Sequence, residues 1–405
     1  EQDEAVGHAV RAGYMYSGMA DVAAITGDSS YVRAIDRIWE NIVGKKIYIT
    51  GGIGARHEGE AFGDNYELPN LTAYNETCAA IGNVYTNYRL FLLHGDAKYF
   101  DVLERTLYNG LISGVSLDGG RFFYPNPLAC DGKYRFNADH TITRQPWFGC
   151  ACCPSNISRF IPSLPGYVYA VKDDKVYVNL FLSNRAKLKV NGKNVVLEQE
   201  TSYPWNGDIR LTVAKGNQPF VMNVRIPGWV RGSVLPGGLY SYADGEELAY
   251  RVSVNGQEVK GALQKGYLSI DRRWKKGDVV EIHFDMQPRV VKANDKVAAD
   301  RGRVAIECGP LVYCAEWPDN DFDISTLLLN RHPKFQVVEH PDLLGGINEI
   351  TTRAQALSYD ATGRLAAKDV KLTLIPYYAW AHRGEGRMEV WLPIEVGAAS
   401  AELQE

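Results

Sequence analysis

Several things are scarce in this sequence, and each scarcity narrows what the chain can be. No apolar run among its 405 residues approaches the roughly 18–20 needed for a bilayer-spanning helix. No secretory signal stands at the front: the chain opens Glu1-Gln2-Asp3-Glu4, without Met, directly before a helical pattern. That opening reads as one from which something upstream is missing or removed, so the compartment is left open. Positive charge is not in surplus either, with 44 Lys and Arg against 48 Asp and Glu. The resulting net charge of −4 gives no electrostatic reason to expect nucleic acid or an anionic membrane as partner. Low-complexity sequence is absent. Cysteine is scarce, and its seven copies are odd in number and clustered, unlike the even, spread framework of a disulfide-stapled secreted domain.

What is present reads as a multidomain α plus β protein. A chain of this length is too long for one hydrophobic core and implies two or three domains. Apolar residues recur at helical spacing from residue 4 to 26 (Val6, Ala9, Val10, Gly13, Tyr14, Met19, Val22, Ala23), and Asp28 or Ser29 caps a second helix running to Ile42. The grammar returns with helices over Asn83–His94 and Tyr99–Ile112. Thr26-Gly27-Asp28-Ser29-Ser30-Tyr31 is echoed by His94-Gly95-Asp96-Ala97-Lys98-Tyr99. Two helical hairpins built alike predict repeated αα units, stacked as a solenoid or closed into an α/α toroid. Between them, residues 47–71 form a long glycine-rich loop, a feature more often functional than decorative. It lacks the Lys-Ser/Thr ending of a phosphate-binding loop.

After about Pro165 short strands alternate with turns such as Asn191-Gly192, Asn206-Gly207 and Asn255-Gly256, which predicts a β-sandwich. More strands follow from about Arg301. Residues 318–365 read as looser and polar, and 370–395 return to strand patterning. The expected domains are 1–165, helical; 166–300, a sandwich; and 301–405, a further β domain or strands completing a sandwich. Aromatics make 11% of the chain; most are expected in β cores, although sugar-stacking surfaces are similarly rich in them.

Chemistry concentrates in Gly149-Cys150-Ala151-Cys152-Cys153-Pro154, with Glu76-Thr77-Cys78 upstream. Three or four sulfur ligands plus one oxygen, from two segments, suit a closed tetrahedral zinc site. Residues i and i+2 diverge on a helix, so the stretch 75–78 must be locally irregular if Glu76 and Cys78 bind one metal. Cys153 precedes a proline, which disfavours helical geometry there and makes Pro154 the expected first residue of a helix through Ile157 and Phe160. Thiols at that helix's amino end are favoured as thiolates. Adjacent cysteines pair only in a strained ring, so a disulfide is disfavoured. On spacing alone, a purely structural zinc and a catalytic one stand about even. Cys308 and Cys314 read as ordinary buried thiols, or one disulfide at most.

Glu60, in the glycine-rich loop near Asp64 and Glu67, raises an acidic pair for glycoside chemistry, although a loop glutamate is usually just solvated. His8 on the first helix is by itself a core or capping histidine, and Tyr124 a packed aromatic.

At these residues the chain resembles the zinc-cysteine β-L-arabinofuranosidases of glycoside hydrolase family 127 and the related family 146. The likeness runs through Thr50-Gly51-Gly52-Ile53-Gly54, Gly59-Glu60-Ala61-Phe62, Leu68-Pro69-Asn70, Glu76-Thr77-Cys78-Ala79, Phe122-Phe123-Tyr124-Pro125-Asn126-Pro127 and Cys150-Ala151-Cys152-Cys153-Pro154. It continues through Gly266-Tyr267-Leu268, Arg273-Trp274 and Gly309-Pro310-Leu311-Val312-Tyr313 to about residue 316. The resemblance implies an (α/α)6 barrel, of which about six helices, the carboxyl-terminal half, fit before Pro165, followed by β-sandwich domains. It implies Zn2+ held by Glu76, Cys78, Cys152 and Cys153, with Cys152 as nucleophile, Glu60 as general acid/base, and His8 and Tyr124 in contact with the sugar. The expected partner is an arabinose-containing oligosaccharide or glycan. A homodimer, and a bacterial cytoplasmic or periplasmic setting, are left open. A non-catalytic carbohydrate-binding protein with a structural zinc is the rival reading, and a carboxylate nucleophile from the Asp64/Glu67 region a third.

Overall fold

Two turns of one design set the helical layer. In the computed structural model, which describes residues 2–138 and 140–400, α1 (Ala9–Thr26) and α2 (Ser29–Asn41) flank Gly27-Asp28, and α3 (Thr77–His94) and α4 (Ala97–Thr106) flank Gly95-Asp96. Both glycines take left-handed φ, 71° and 62°, which a Cβ would strain. Both aspartates cap the next helix, accepting the N–H of Ser30 at 2.8 Å and of Lys98 at 3.0 Å. The hairpins therefore form as their repeated turn predicts.

The hairpins meet where α1 crosses α3. A Cβ on Gly13 would lie 3.0 Å from the carbonyl carbon of Gly82, so only glycine allows this approach. Thr86 Oγ1 then reaches the Gly13 carbonyl at 2.8 Å, and Trp39 Nε1 ties α2 to Asn87 Oδ1 at 2.8 Å. α1 starts later than its periodicity predicts. Residues just before it are extended because Phe62 N–H bonds the Gly7 carbonyl, His8 bridges to Ala61, and Asn41 takes the Ala5 N–H. The glycine-rich loop is thus stitched to the start of α1.

The sandwich consists of a four-stranded and a six-stranded sheet. The first runs Tyr267–Lys275, Asn217–Arg225, Lys175–Val178, Tyr169–Lys172, with one parallel pair between Lys175–Val178 and Asn217–Arg225. The second runs from Gln257–Glu258 through Tyr250–Val254, Val279–Phe284, Asp208–Lys215 and Lys193–Thr201 to Asn184–Val190, all antiparallel. Alternation buries Phe220, Val224 and Trp274 from one sheet and Leu197, Ile209 and Ile282 from the other. A third, larger sheet takes in Pro288–Ala293, Arg303–Cys308 and Leu311–Glu316, and extends into the region read as loose. There Ile347–Tyr359 pairs with Leu365–Pro376 in a long hairpin. Apolar alternation fails in this hairpin because its outer half is exposed on both faces: Leu365 to Asp369 are all solvent-facing.

Buried polar contacts join the β domains to the helices. Arg225 is fully buried, pairing with Asp101 at 2.9 Å and Glu104 at 2.5 Å on α4. Asn109 donates to the Pro310 carbonyl and accepts from Val312 N–H, each at 2.8 Å. Asn70, at the end of the glycine-rich loop, donates to Asp300 at 2.9 Å.

Burial, opposed by the Asn70 bond and by Arg303, pushes the Asp300 carboxyl up to about 7. A raised carboxyl means that its stabilisation is complete below the unfolded value near 4 and is lost as pH rises through about 7. Asp300→Asn, neutral throughout, is therefore expected to be more stable than wild type at pH 8.5 by roughly 2–4 kcal/mol. The gain should shrink as pH falls toward 4. Melting curves across that range check it, and a pH-independent difference would contradict it.

Candidate active site and metal centre

The centre lies where two helices begin. Asn75 has φ 41° and Glu76 is extended (φ −59°, ψ 138°), so Glu76 stands just outside α3 while Cys78 is already its second residue. This is the irregularity that two ligands at i and i+2 demand. The aromatic strip 122–127 locks it in place: Thr77 N–H and Oγ1 bond the carbonyls of Tyr124 and Phe123 at 3.0 and 2.9 Å, and Asn126 Nδ2 reaches the Asn75 carbonyl at 2.9 Å. α5 (Cys152–Phe160) supplies the other side, with Cys152 and Cys153 as its first residues. It starts two residues before the expected Pro154. First-turn amides have no intrahelical acceptor, so a proline in third position forfeits no bond. Both helix dipoles thus present their positive ends to the cluster.

The ligand atoms of Glu76, Cys78, Cys152 and Cys153 all lie within 4.8 Å of one another. Glu76 Oε1 is 3.4 Å from each of the Cys152 and Cys153 sulfurs, which are 3.8 Å apart. Glu76, Cys78 and Cys153 are buried, whereas Cys152 is only half-buried. Tyr124 hydroxyl sits 2.8 Å from Cys152 Sγ and 3.9 Å from the exposed Cys150. Its ring meets Phe148 edge-on at 5.6 Å.

Crowded acids without a cation must share protons. Burial, then the Cys152 and Glu60 charges, push the Glu76 carboxyl up to about 9. The Cys78 thiol is raised chiefly by its hydrogen bond to Cys152, and that of Cys153 by burial. Cys152 is held well below the usual thiol range by its hydrogen bonds with Cys153 and then Cys78. Opposed shifts within one cluster mean that these four groups cannot all carry charge together without a cation between them. Glu76 Oε2 is buried and has no hydrogen-bond partner, which leaves a carboxylate oxygen unsatisfied beside the cluster. Three soft sulfurs and one carboxylate therefore fit a metal ion.

Glu60 lies close enough to the cluster for its charge to raise the Glu76 carboxyl. His8 Nε2 is 2.8 Å from its Oε2, and Tyr74 hydroxyl donates to its Oε1 at 3.1 Å. The Tyr74 ring lies 6.3 Å from that of Tyr124, linking Glu60 to the cysteine side. Nothing in the sequence singles out Tyr74, which stands two residues before Glu76. Asp64 and Glu67 point to a different task. Both pair with Arg56, and Arg56 holds the Glu67 carboxyl below its usual range. An ion-paired carboxylate is a poor nucleophile, which removes the main support for the third reading. All seven cysteines are free thiols, Cys314 buried and Cys308 half-buried.

Three family models match the chain in succession: the GH127 β-L-arabinofuranosidase catalytic domain over residues 1–166, the GH127 middle domain over 175–286, and the family's C-terminal domain over 288–393. A non-reducing end β-L-arabinofuranosidase of Bifidobacterium longum subsp. longum is 37% identical over 416 residues, spanning 96% of this chain. The chain covers 60% of that relative's length. A solved GH127 β-arabinofuranosidase structure is 76% identical with a TM-score of 0.95, covering 98% of this chain and 61% of its own. A second, from Geobacillus stearothermophilus T6, is 41% identical with a TM-score of 0.89, covering 97% and 61%.

Chelation is expected to lower the melting temperature of the metal-loaded protein. In the stripped protein Glu76, Cys78 and Cys153 are raised and hold their protons, while the lowered Cys152 thiol offsets the raised Glu76 carboxyl in the pH dependence of folding. Metal binding displaces those protons and strengthens as pH rises. The gap in melting temperature between loaded and stripped protein should therefore widen from pH 5.5 to 8; a constant gap, or none, would contradict the site.

Proposed function

The chain belongs to the GH127 β-L-arabinofuranosidase family, and on that basis we propose that it is a retaining glycoside hydrolase releasing terminal β-L-arabinofuranosyl residues from an arabinose-containing oligosaccharide or glycan. In this proposal Zn2+ is the metal, held by Glu76, Cys78, Cys152 and Cys153. When bound, it keeps the Cys152 sulfur ionised. Cys152 attacks the anomeric carbon, and the bond to the leaving oxygen breaks as Glu60 protonates that oxygen. Glu60, now a carboxylate, takes a proton from water. The water oxygen attacks the same carbon, the carbon–sulfur bond breaks, and the sugar leaves with its configuration retained. Tyr124 and His8 contact the sugar, Tyr124 from beside the sulfur and His8 from beside Glu60.

One observation carries the proposal: of four clustered ligands, Cys152 alone is partly open to solvent, with Glu60 tied through Tyr74 to the segment that carries Glu76 and Cys78. A purely structural metal has no need of an accessible sulfur. As to fold, we infer that α1 to α5 form part of an (α/α)6 barrel; the paired hairpins and the identity with the GH127 structures support this.

Cys152→Ser is expected to cut hydrolysis of an aryl β-L-arabinofuranoside by roughly 10⁴-fold or more. Glu60→Gln should slow substrates with poor leaving groups by about 10²–10⁴-fold while sparing activated ones in the first step. Steady-state kinetics on both substrate types check this. Undiminished turnover by the serine variant would exclude Cys152 as the nucleophile, whereas no turnover by the unaltered protein would leave the carbohydrate-binding alternative in possession.

A further inference from the structure

Glu60 is restrained more heavily than a loop carboxylate requires. Its φ is 51°, a left-handed value that a residue with a Cβ seldom adopts, and it follows Gly59 at 69°. The backbone is held there by Glu60 N–H to the His57 carbonyl at 3.0 Å and by the reciprocal Arg56–Ala61 pair at 3.0 and 3.1 Å. The side chain is then fixed at both oxygens, by His8 on Oε2 and by Tyr74 on Oε1. Two donors on separate oxygens determine the carboxylate plane as well as its position; one donor would leave it free to rotate.

Tyr74 is placed to do this and little else. It is 7% exposed, its ring meets His57 edge-on at 5.1 Å, and its backbone N–H bonds Ala55 of the glycine-rich loop at 3.3 Å. It also belongs to the short segment that carries Glu76 and Cys78. A single run, 74–78, therefore sends a hydroxyl to the proton donor and two ligands to the sulfur cluster. We propose that Tyr74 is a positioning residue which orients the Glu60 carboxylate toward the leaving oxygen and fixes its separation from the Cys152 sulfur. This rests on the acid/base role of Glu60 proposed above. In-line displacement at one carbon needs donor and nucleophile on opposite sides at a set spacing, and a rotated carboxyl cannot meet that demand.

Tyr74→Phe tests it, because the ring and its packing stay and only the hydroxyl goes. In the intact enzyme, kcat on a substrate with a poor leaving group should fall by about 10-fold or more with little change in KM, and by less than about 3-fold on an activated aryl glycoside. Equal losses on the two substrates, a change confined to KM, or no loss would overturn the proposal. Glu60→Gln run in parallel separates the two levels. If it shows the leaving-group-dependent loss and Tyr74→Phe does not, only the role of Tyr74 fails; if it lacks that loss, the acid role of Glu60 fails and this inference with it. Crystal structures of wild type and variant give a readout independent of turnover. The Glu60 carboxylate should rotate about its remaining bond to His8, and an unmoved Oε1 would overturn the proposal.

Discussion

Four acidic side chains confined within a few ångströms of one another cannot all be anions unless something positive joins them. That constraint at Glu76, Cys78, Cys152 and Cys153 organises the rest of the molecule. Two helix amino termini contribute partial positive charge but fall well short of balancing the set. A dication offsets half of their charge and joins them, and the unpartnered Glu76 oxygen is consistent with its place. The ligands come from segments more than 70 residues apart, so a bound metal also cross-links the start of α3 to the start of α5.

Holding these two starts together takes rigid support. α3 is packed against α1 through the Gly13–Gly82 contact, and the strip 122–127 braces the residues just before it. α4, next in line, is clamped to the sandwich by Arg225, and the glycine-rich loop is tied to the third sheet through Asn70 and Asp300. The β domains therefore brace the helices that present the sulfur and the loop that presents Glu60. Reactive groups in fixed relation to one another lose little entropy on reaching the reacting geometry.

Much of this was legible in the residues. The Gly-Asp repeats fixed both hairpins because the αL glycine and the aspartate cap are local devices that need no tertiary partner. The clustered cysteines, with Glu76 and Cys78, pointed to a metal by ligand chemistry alone. What stayed hidden depended on long-range contacts. Residues 4–8 have helical periodicity but are drawn into pairing with residues 61–62. α5 runs through Pro154 because the first turn tolerates proline, and the outer hairpin at 347–376 is exposed on both faces and loses its alternation. Tyr74 was invisible for another reason: nothing local separates a tyrosine that packs from one that aims its hydroxyl at a carboxylate.

The central claim is that the half-buried sulfur of Cys152 forms a bond to the anomeric carbon. An arabinofuranose analogue with an electrophile at that carbon, incubated with the metal-loaded protein and followed by peptide mass spectrometry, tests this most directly. The account predicts stoichiometric labelling of Cys152 that a competing substrate suppresses. Labelling of Glu60 or of exposed Cys150 instead, or modification that substrate does not slow, would contradict it.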